Sequence, residues 1–294
     1  MKILTIDGNN LVHRVYWVAE NMKHKSENMH VYMFLNSVRS YVEQFKPDRV
    51  FCVWDEKPDG LTNKRKELLK EYKGNRDHDR NQEVHTKNDI IKELLTSMGI
   101  PSIFPQRYEA DDAIKIINEY MDAKARSEFY KTKQHFHHTI VTVDKDLCQL
   151  ISNKVSVYDP IKKVVITDQN FEEILKYRRA DFIKVKALAG DKSDNIPGIK
   201  GMGKVKIGNY LAGRYKLTDK EQELYEKNLQ LVTLTSDKGE TTYVRSQLIN
   251  LTHSTKWETF LSICEELQLN QITTHETKWY STFFQKNRLE EILS

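Results

Sequence analysis

Three apolar segments far apart in the chain each run directly into an aspartate. Leu-Thr-Ile leads to Asp7, Cys-Val-Trp to Asp55, and Val-Thr-Val to Asp144. Short apolar runs separated by helical patterns read as strands buried on both faces, the signature of a parallel sheet. In an open parallel sheet the carboxyl ends of the strands line one crevice, and ligands bind there. The pattern therefore constrains fold and site together, because it brings three distant carboxylates to one edge.

The first half alternates throughout. Strands are expected at residues 2–6, 49–54, 100–104 and 138–143. Helices are expected at 31–45, 83–98 and 109–126, the second stopped by Gly99 and Pro101. Alternation of this kind predicts an α/β fold with a mostly parallel central sheet flanked by helices. Residues 153–167 read as a small pair of strands. Mostly helices follow, at 168–177, 180–188, 203–211 and 219–234. A boundary near residue 178 would divide a core, 1–178, from a helical region, 179–294. The polar, basic stretch 57–80 is too long for an ordinary connection and reads as a functional insertion. Trp257, Phe260, Trp279, Tyr280, Phe283 and Phe284 near the chain end read as packing.

Further acids fall beside the same edge. Glu109, Asp111 and Asp112 follow the third strand, Asp146 lies just beyond Asp144, and Asp191 and Asp194 follow a helix ending at Gly190. Singly, each has an ordinary explanation as a helix cap or turn former. Jointly, up to nine carboxylates in one crevice would repel one another unless cations neutralise them. Oxygen-only ligation without His or Cys suits Mg²⁺ or Mn²⁺. Two such ions about 4 Å apart are the usual device for phosphodiester hydrolysis. Asp191-Lys-Ser-Asp-Asn is not a calcium loop, because Ile196 and Met202 stand where glycine and glutamate are needed. Gly198 to Lys204 is not a nucleotide-binding loop, because Val205 replaces the hydroxyl residue and no strand precedes it. His135-Phe-His-His138 could bind a transition metal adventitiously, but reads rather as a solvated loop before a strand.

Net charge is only +4, but it is unevenly spread. Between Gly198 and Thr218 stand Lys200, Lys204, Lys206, Arg214 and Lys216 with no acid among them. The glycines of Ile196-Pro-Gly-Ile-Lys-Gly-Met-Gly-Lys204 allow close backbone approach to a phosphate, and the helix that follows adds its positive end. This is the logic of a helix–hairpin–helix clamp on the nucleic-acid backbone, which reads no sequence. In the insertion, Lys64-Arg65-Lys66 and Tyr72 would either grip a single strand, by charge and stacking, or form a solvated helix. The composition, 39% hydrophobic and 30% charged, excludes disordered, collagen-like and membrane-spanning chains. No signal-peptide pattern is visible, and three scattered cysteines form no disulfide framework, which fits a reducing cytoplasm.

The same residues resemble the structure-specific 5′ nucleases. Asp7-Gly-Asn-Asn, Val53-Trp-Asp55, Glu71-Tyr-Lys-Gly-Asn-Arg76, Glu109-Ala-Asp-Asp112, Thr142-Val-Asp-Lys-Asp146, Gly190-Asp-Lys-Ser-Asp-Asn-Ile-Pro-Gly198 and Gly201-Met-Gly203 fall in the family's order, across about residues 3–232. The resemblance implies a PIN-like nuclease core, a helical arch over 57–80, and a clamp-type turn at 196–208. It implies a first metal at Asp7, Asp55, Glu109 and Asp111, and a second at Asp144, Asp146, Asp191 and Asp194. Asp112 also matches the motif. Lys73 would approach the scissile phosphate from the arch, acting with Asp144 and Asp146. Lys64, Arg65, Lys66, Tyr72, Arg76 and Lys186 would contact DNA. So would Lys200, Gly201, Gly203, Lys204 and Lys206 at the turn, with a K⁺ ion there. The implied protein is a monomeric, phage-type, stand-alone 5′-3′ exonuclease and flap endonuclease, using Mg²⁺ or Mn²⁺. Its substrates are branched, flapped or nicked DNA and RNA–DNA hybrids, its partners replication proteins, and its place the host cytoplasm. Two rivals are a non-catalytic junction-binding protein and a metal-dependent phosphatase. The complete acid set argues against the first, and the DNA-sized basic surface against the second.

Overall fold

A computed structural model of the chain describes residues 1–23, 26–56, 58, 60–75, 83–132, 135–249, 251 and 254–285. Arg76 lies outside them, as does the rest of the insertion from residue 76 to residue 82. The strands are β1 (Lys2–Asp7), β2 (Arg49–Val53), β3 (Ser102–Ile103), β4 (His137–Val141), β5 (Val155–Asp159) and β6 (Val164–Ile166). They form one sheet in the order β3-β2-β1-β4-β5-β6, parallel except for β6. The strand pair expected at 153–167 is thus the sheet's own edge: β5 lies parallel to β4, and β6 returns antiparallel beside it. The register aligns Ile6 with Cys52 and with Val141. Asp7, Asp55 and Asp144 therefore leave the sheet at the same edge.

Alternate residues of the central strands feed two cores. Leu4, Ile6, Cys52, Trp54 and Val141 face one side, against α1 (Gly8–Glu20), α2 (Met29–Phe45) and α4 (Asn88–Ser97). Ile3, Phe51, Val53, Ile140 and Val157 face the other, against α5 (Ala110–Thr132). Both faces being covered explains why the strands read as continuous apolar runs. Helix α1 was not anticipated. Its signal lies in Leu11, Val12, Val15 and Ala19, all buried, behind Asp7, whose carboxylate accepts from the Asn10 N–H at 3.0 Å. An aspartate in that position is a favoured N-cap.

Between α2 and α5 lies a short helix, α3 (Lys64–Leu68), at the base of the insertion. Beyond the sheet come α6 (Phe171–Leu175), α7 (Phe182–Ala189), α8 (Lys204–Leu211) and α9 (Asp219–Val232). The last three surround a third core of Val185, Leu188, Ile196, Met202, Ile207, Tyr225 and Leu231, which also takes in Tyr72. The chain then returns to the sheet. From α10 (Lys238–Ile249), Val244 and Leu248 join the core beneath α5. From α11 (Trp257–Glu266), α12 (Asn270–Thr273) and α13 (Glu276–Phe283), Phe260, Ile272 and Trp279 join the core of α1 and α2. The packing is thus not divided at residue 178, because the terminal aromatic residues close the first core.

The strand expected from residue 138 begins one residue earlier, so His137 as well as His138 belongs to β4. His138 is fully buried, with Nε2 2.8 Å from Thr5 Oγ1 and Nδ1 3.1 Å from Asn118 Oδ1. Burial, reinforced by His137, pulls its pKa down to about 3, so it is a neutral core histidine. No helix among the described residues is long and apolar enough to cross a membrane.

Candidate metal and nucleic-acid site

Asp7 closes β1 and is buried, with Oδ2 accepting from the Thr142 hydroxyl at 2.9 Å. Asn9 Oδ1 accepts from the Asp55 N–H at 2.7 Å, and Asn10 Oδ1 from the Val143 N–H at 3.3 Å. The two asparagines of Asp7-Gly-Asn-Asn thus tie the ends of β1, β2 and β4 together, a role the motif alone did not disclose. Burial raises the Asp7 carboxyl to about 6; bonds from Asn10 and Thr142 oppose this, while the charges of Asp144 and Asp55 add to it. Burial likewise holds Asp111 well above the carboxylate range, helped by Asp144 and Asp7 and opposed by Lys73. Asp7, Asp55, Asp111 and Asp144 therefore share one repulsive field.

A second group faces the first. Oxygens of Asp146, Asp191 and Asp194 all lie within 4.8 Å of one another. The Asp146 N–H donates to Asp144 Oδ1 at 2.8 Å, which links the two groups. Asp191 accepts from the Ser193 N–H at 2.9 Å and from its hydroxyl at 2.5 Å. Burial opposes ionisation of Asp191, but Ser193 and Lys186 outweigh it and hold the carboxyl below its usual value.

The loop carrying Asp191 and Asp194 is fixed by a close backbone crossing. A Cβ on Gly198 would lie 2.1 Å from the Ala189 carbonyl oxygen, and Gly190 has φ +74 with Gly198 N 2.3 Å from where its Cβ would be. Gly198→Ala should therefore destabilise the fold by about 1–3 kcal/mol through overpacking. Gly208→Ala, with open space around its Cβ, should be neutral or stabilising. Urea unfolding of the two variants makes the comparison, and equal stabilities would contradict the crossing.

Glu109 joins the groups to the base of the insertion. Its Oε1 accepts from Lys73 Nζ at 2.6 Å and Asn63 Nδ2 at 2.9 Å. Its Oε2 accepts from the Tyr72 hydroxyl at 2.9 Å, and that hydroxyl also lies 3.2 Å from Asp194 Oδ2. The turn at 71–75 is docked on the second acid loop. Lys73 N–H donates to the Asp194 carbonyl at 3.0 Å, Asn75 to the Lys192 carbonyl at 2.9 Å, and Asn195 to the Glu71 carbonyl at 2.8 Å. Lys73 makes these bonds in a left-handed conformation, φ +54.

Four expectations need correction. Tyr72 is 2% exposed, so its ring cannot stack on a base in this arrangement, and burial with the charge of Glu109 keeps its hydroxyl protonated. Arg65 is buried too. It donates to both oxygens of Asp112 at 2.6 and 3.0 Å and to the carbonyls of Leu231 and Thr233 at 2.8 and 3.3 Å, so it is a strut rather than a DNA-binding group. Asp112 is fully buried, and its oxygens also accept from the N–H groups of Glu109 at 3.1 Å and Thr235 at 2.8 Å. Fully buried and paired through both oxygens with one guanidinium, it is turned away from the other acids. Lys186 points into the second acid group instead of toward an exposed DNA surface; its Nζ contacts Asp146 and lies 3.0 Å from Asp191. By contrast Lys66, Lys200, Gly201, Gly203, Lys204 and Lys206 are exposed, and Lys64 is partly so, with Nζ 3.2 Å from Glu67. Gly203 is the N-cap residue of α8.

The remaining donor set is oxygen-only, and within it burial, helped by neighbouring carboxylates, pushes Asp7 and Asp111 upward. Those residues fit Mg²⁺ or Mn²⁺ on chemical grounds. Acids gathered on the carboxyl edge of a parallel sheet, beside an exposed basic glycine turn, suit metal-assisted chemistry on a phosphodiester. Residues 2–176 match the family model described as the 5′-3′ exonuclease N-terminal, resolvase-like domain. The chain belongs to the 5′-3′ exonuclease family. A 5′-3′ exonuclease of Mycoplasmopsis pulmonis is 34% identical over 211 residues, 71% of this chain and 66% of that protein. One from Bacillus subtilis is 32% identical over 265 residues, 87% of this chain and 81% of that protein. Among solved structures, the T5 D15 protein crystallised with metal ions has a TM-score of 0.63 at 20% identity, covering 91% of this chain and 98% of that one. The same T5 protein, described as a flap endonuclease in a pseudo-enzyme–product complex with DNA and metal ions, gives 0.61 at 19% identity, covering 91% and 100%. At these identities the structural likeness concerns the fold.

Proposed function

We propose that the chain is a divalent-metal-dependent 5′ nuclease, both 5′-3′ exonuclease and flap endonuclease. It hydrolyses phosphodiester bonds in branched, flapped or nicked DNA and in RNA–DNA hybrids, as a monomer in replication or primer removal. One observation supports the reading: a single hydroxyl, that of Tyr72, reaches one acid of each group, so the two groups lie within one side chain of each other at the base of the insertion. Asp7, Asp55, Glu109 and Asp111 would hold one Mg²⁺ or Mn²⁺ ion, and Asp144, Asp146, Asp191 and Asp194 another. Ions held there would polarise the phosphate and lower the pKa of water. The arch turn places the Lys73 ammonium beside Glu109, where it offsets negative charge that a phosphate would otherwise meet. The exposed glycine turn would take the duplex backbone, with a K⁺ ion. The buried, unpaired Cys52, Cys148 and Cys264 suit a cytoplasmic setting. The metal requirement is tested directly: cleavage of 5′-labelled flapped DNA must stop on chelation and return with Mg²⁺, and cleavage in excess chelator would overturn it.

The two basic surfaces should divide the substrate. Replacing Lys200, Lys204 and Lys206 with Ala should weaken plain duplex and flapped DNA alike. The slope of log affinity against log salt should shrink by up to about one unit for each phosphate no longer neutralised. Replacing Lys64 and Lys66 should spare duplex and weaken flaps. Arg65 is left out of that pair because it is buried. Salt titrations of both variants on both substrates decide, and identical profiles would mean one undivided patch.

A further inference from the structure

A basic side chain stands inside the second acid group. Lys186 lies in the last turn of α7; its Nζ contacts Asp146 Oδ1 and is 3.0 Å from Asp191 Oδ2. Its side chain is only 15% exposed, and those of its partners 17% and 20%. Both partners belong to the trio with Asp194 whose oxygens converge within 4.8 Å. The ammonium thus pairs with two of the three carboxylates that a divalent ion would share. Its place is built by the backbone. The Gly190 N–H donates to the Lys186 carbonyl at 2.8 Å, and Asp191 pairs with Ile196 in both directions at 3.0 and 2.7 Å. The Gly190–Gly198 crossing then holds Asp191 against the end of the helix that carries Lys186. Lys184, on the same helix, faces solvent.

We propose that Lys186 is a resident counter-ion of the Asp146–Asp191–Asp194 cluster and determines its affinity for a divalent cation. The proposal rests on the reading of that cluster as a metal site. Three carboxylates carry three negative charges, and the ammonium cancels one. With Lys186 in place the acids stay together without metal, and a divalent ion must compete with the ammonium for Asp146 and Asp191. The lysine therefore acts as a positioning residue that weakens the site while keeping its shape.

The test is a Mn²⁺ titration of the free chain without DNA, following unbound Mn²⁺ by its electron paramagnetic resonance signal. Asp194→Asn marks the cluster and should lose one bound Mn²⁺. Lys186→Met should bind that Mn²⁺ roughly tenfold more tightly, because a like charge a few ångströms away has gone. Lys186→Gln repeats the measurement should the Met variant fail to fold. Lys186→Arg, which keeps the charge, and Lys184→Met, which removes one on the exposed face, should stay within about twofold of the native chain. Unchanged or weaker binding in the folded Lys186→Met or Lys186→Gln variant overturns the proposal. So does an equal tightening in Lys186→Arg, since charge would then not be the cause. If Asp194→Asn loses no Mn²⁺, the metal reading fails first, and it does so with Lys186 intact.

Discussion

Asp144→Asn should lower cleavage of flapped DNA on the order of 10³-fold while leaving DNA affinity equal or improved. Asp144 stands between the two acid groups: its charge lifts Asp7 and Asp111, and its Oδ1 accepts from the Asp146 N–H. Asparagine keeps the shape and that hydrogen bond but removes the charge that would hold a cation at the reacting phosphate. Losing one such electrostatic partner costs about two to three powers of ten in rate. Losing one negative charge beside a polyanion does not weaken binding and can strengthen it. Single-turnover cleavage at saturating DNA, with affinity measured in Ca²⁺, separates the two effects. Near-native turnover in Mg²⁺ would contradict the site as described.

Arg65→Met should destabilise the fold by about 3–5 kcal/mol, the usual cost of breaking a buried ion pair from one side. The guanidinium neutralises Asp112 and ties α3 to the carbonyls of Leu231 and Thr233 at the end of α9, so its loss leaves a fully buried carboxylate without its counter-charge. Removing both charges, in Arg65→Met with Asp112→Leu, should recover much of the loss. Lys66→Met, one residue along but exposed, should change stability by no more than about 0.5 kcal/mol. Urea unfolding of the four chains is the measurement. A stable Arg65→Met variant that loses flap affinity as Lys66→Met does would return Arg65 to the DNA surface.

Lys64, Arg65 and Lys66 show where reading a sequence stops. As types they are three equivalent cations, and only the helix phase, set by packing against α9, turns the middle one inward. Asp112 belongs to the same case, because Glu109-Ala-Asp-Asp gives no sign of which carboxylate turns away from the crevice. Tyr72 and Lys186 have polar ends that suit a DNA surface equally well until the third core covers one and the acid loop captures the other. The aspartates after β1, β2 and β4 were legible for the opposite reason. Strand period and parallel pairing fix their place without reference to distant packing. Gly198 was legible only as part of a turn suited to a phosphate, because the backbone crossing with Ala189 and Gly190 that leaves no room for its Cβ brings together residues eight and nine positions away. The return of the last helices to the sheet left only aromatic residues as a trace, and aromatic residues do not name the surface they will cover.

The central claim is that both acid groups serve one crevice that cuts a 5′ arm where it meets duplex. Mapping the cut positions on 5′-labelled flapped, nicked and fully paired DNA in Mg²⁺ tests it most directly. The account predicts cuts clustered within a few nucleotides of the flap junction and release of short 5′ products at the nick, with far slower cutting inside intact duplex. Cuts spread evenly along all three substrates would contradict it.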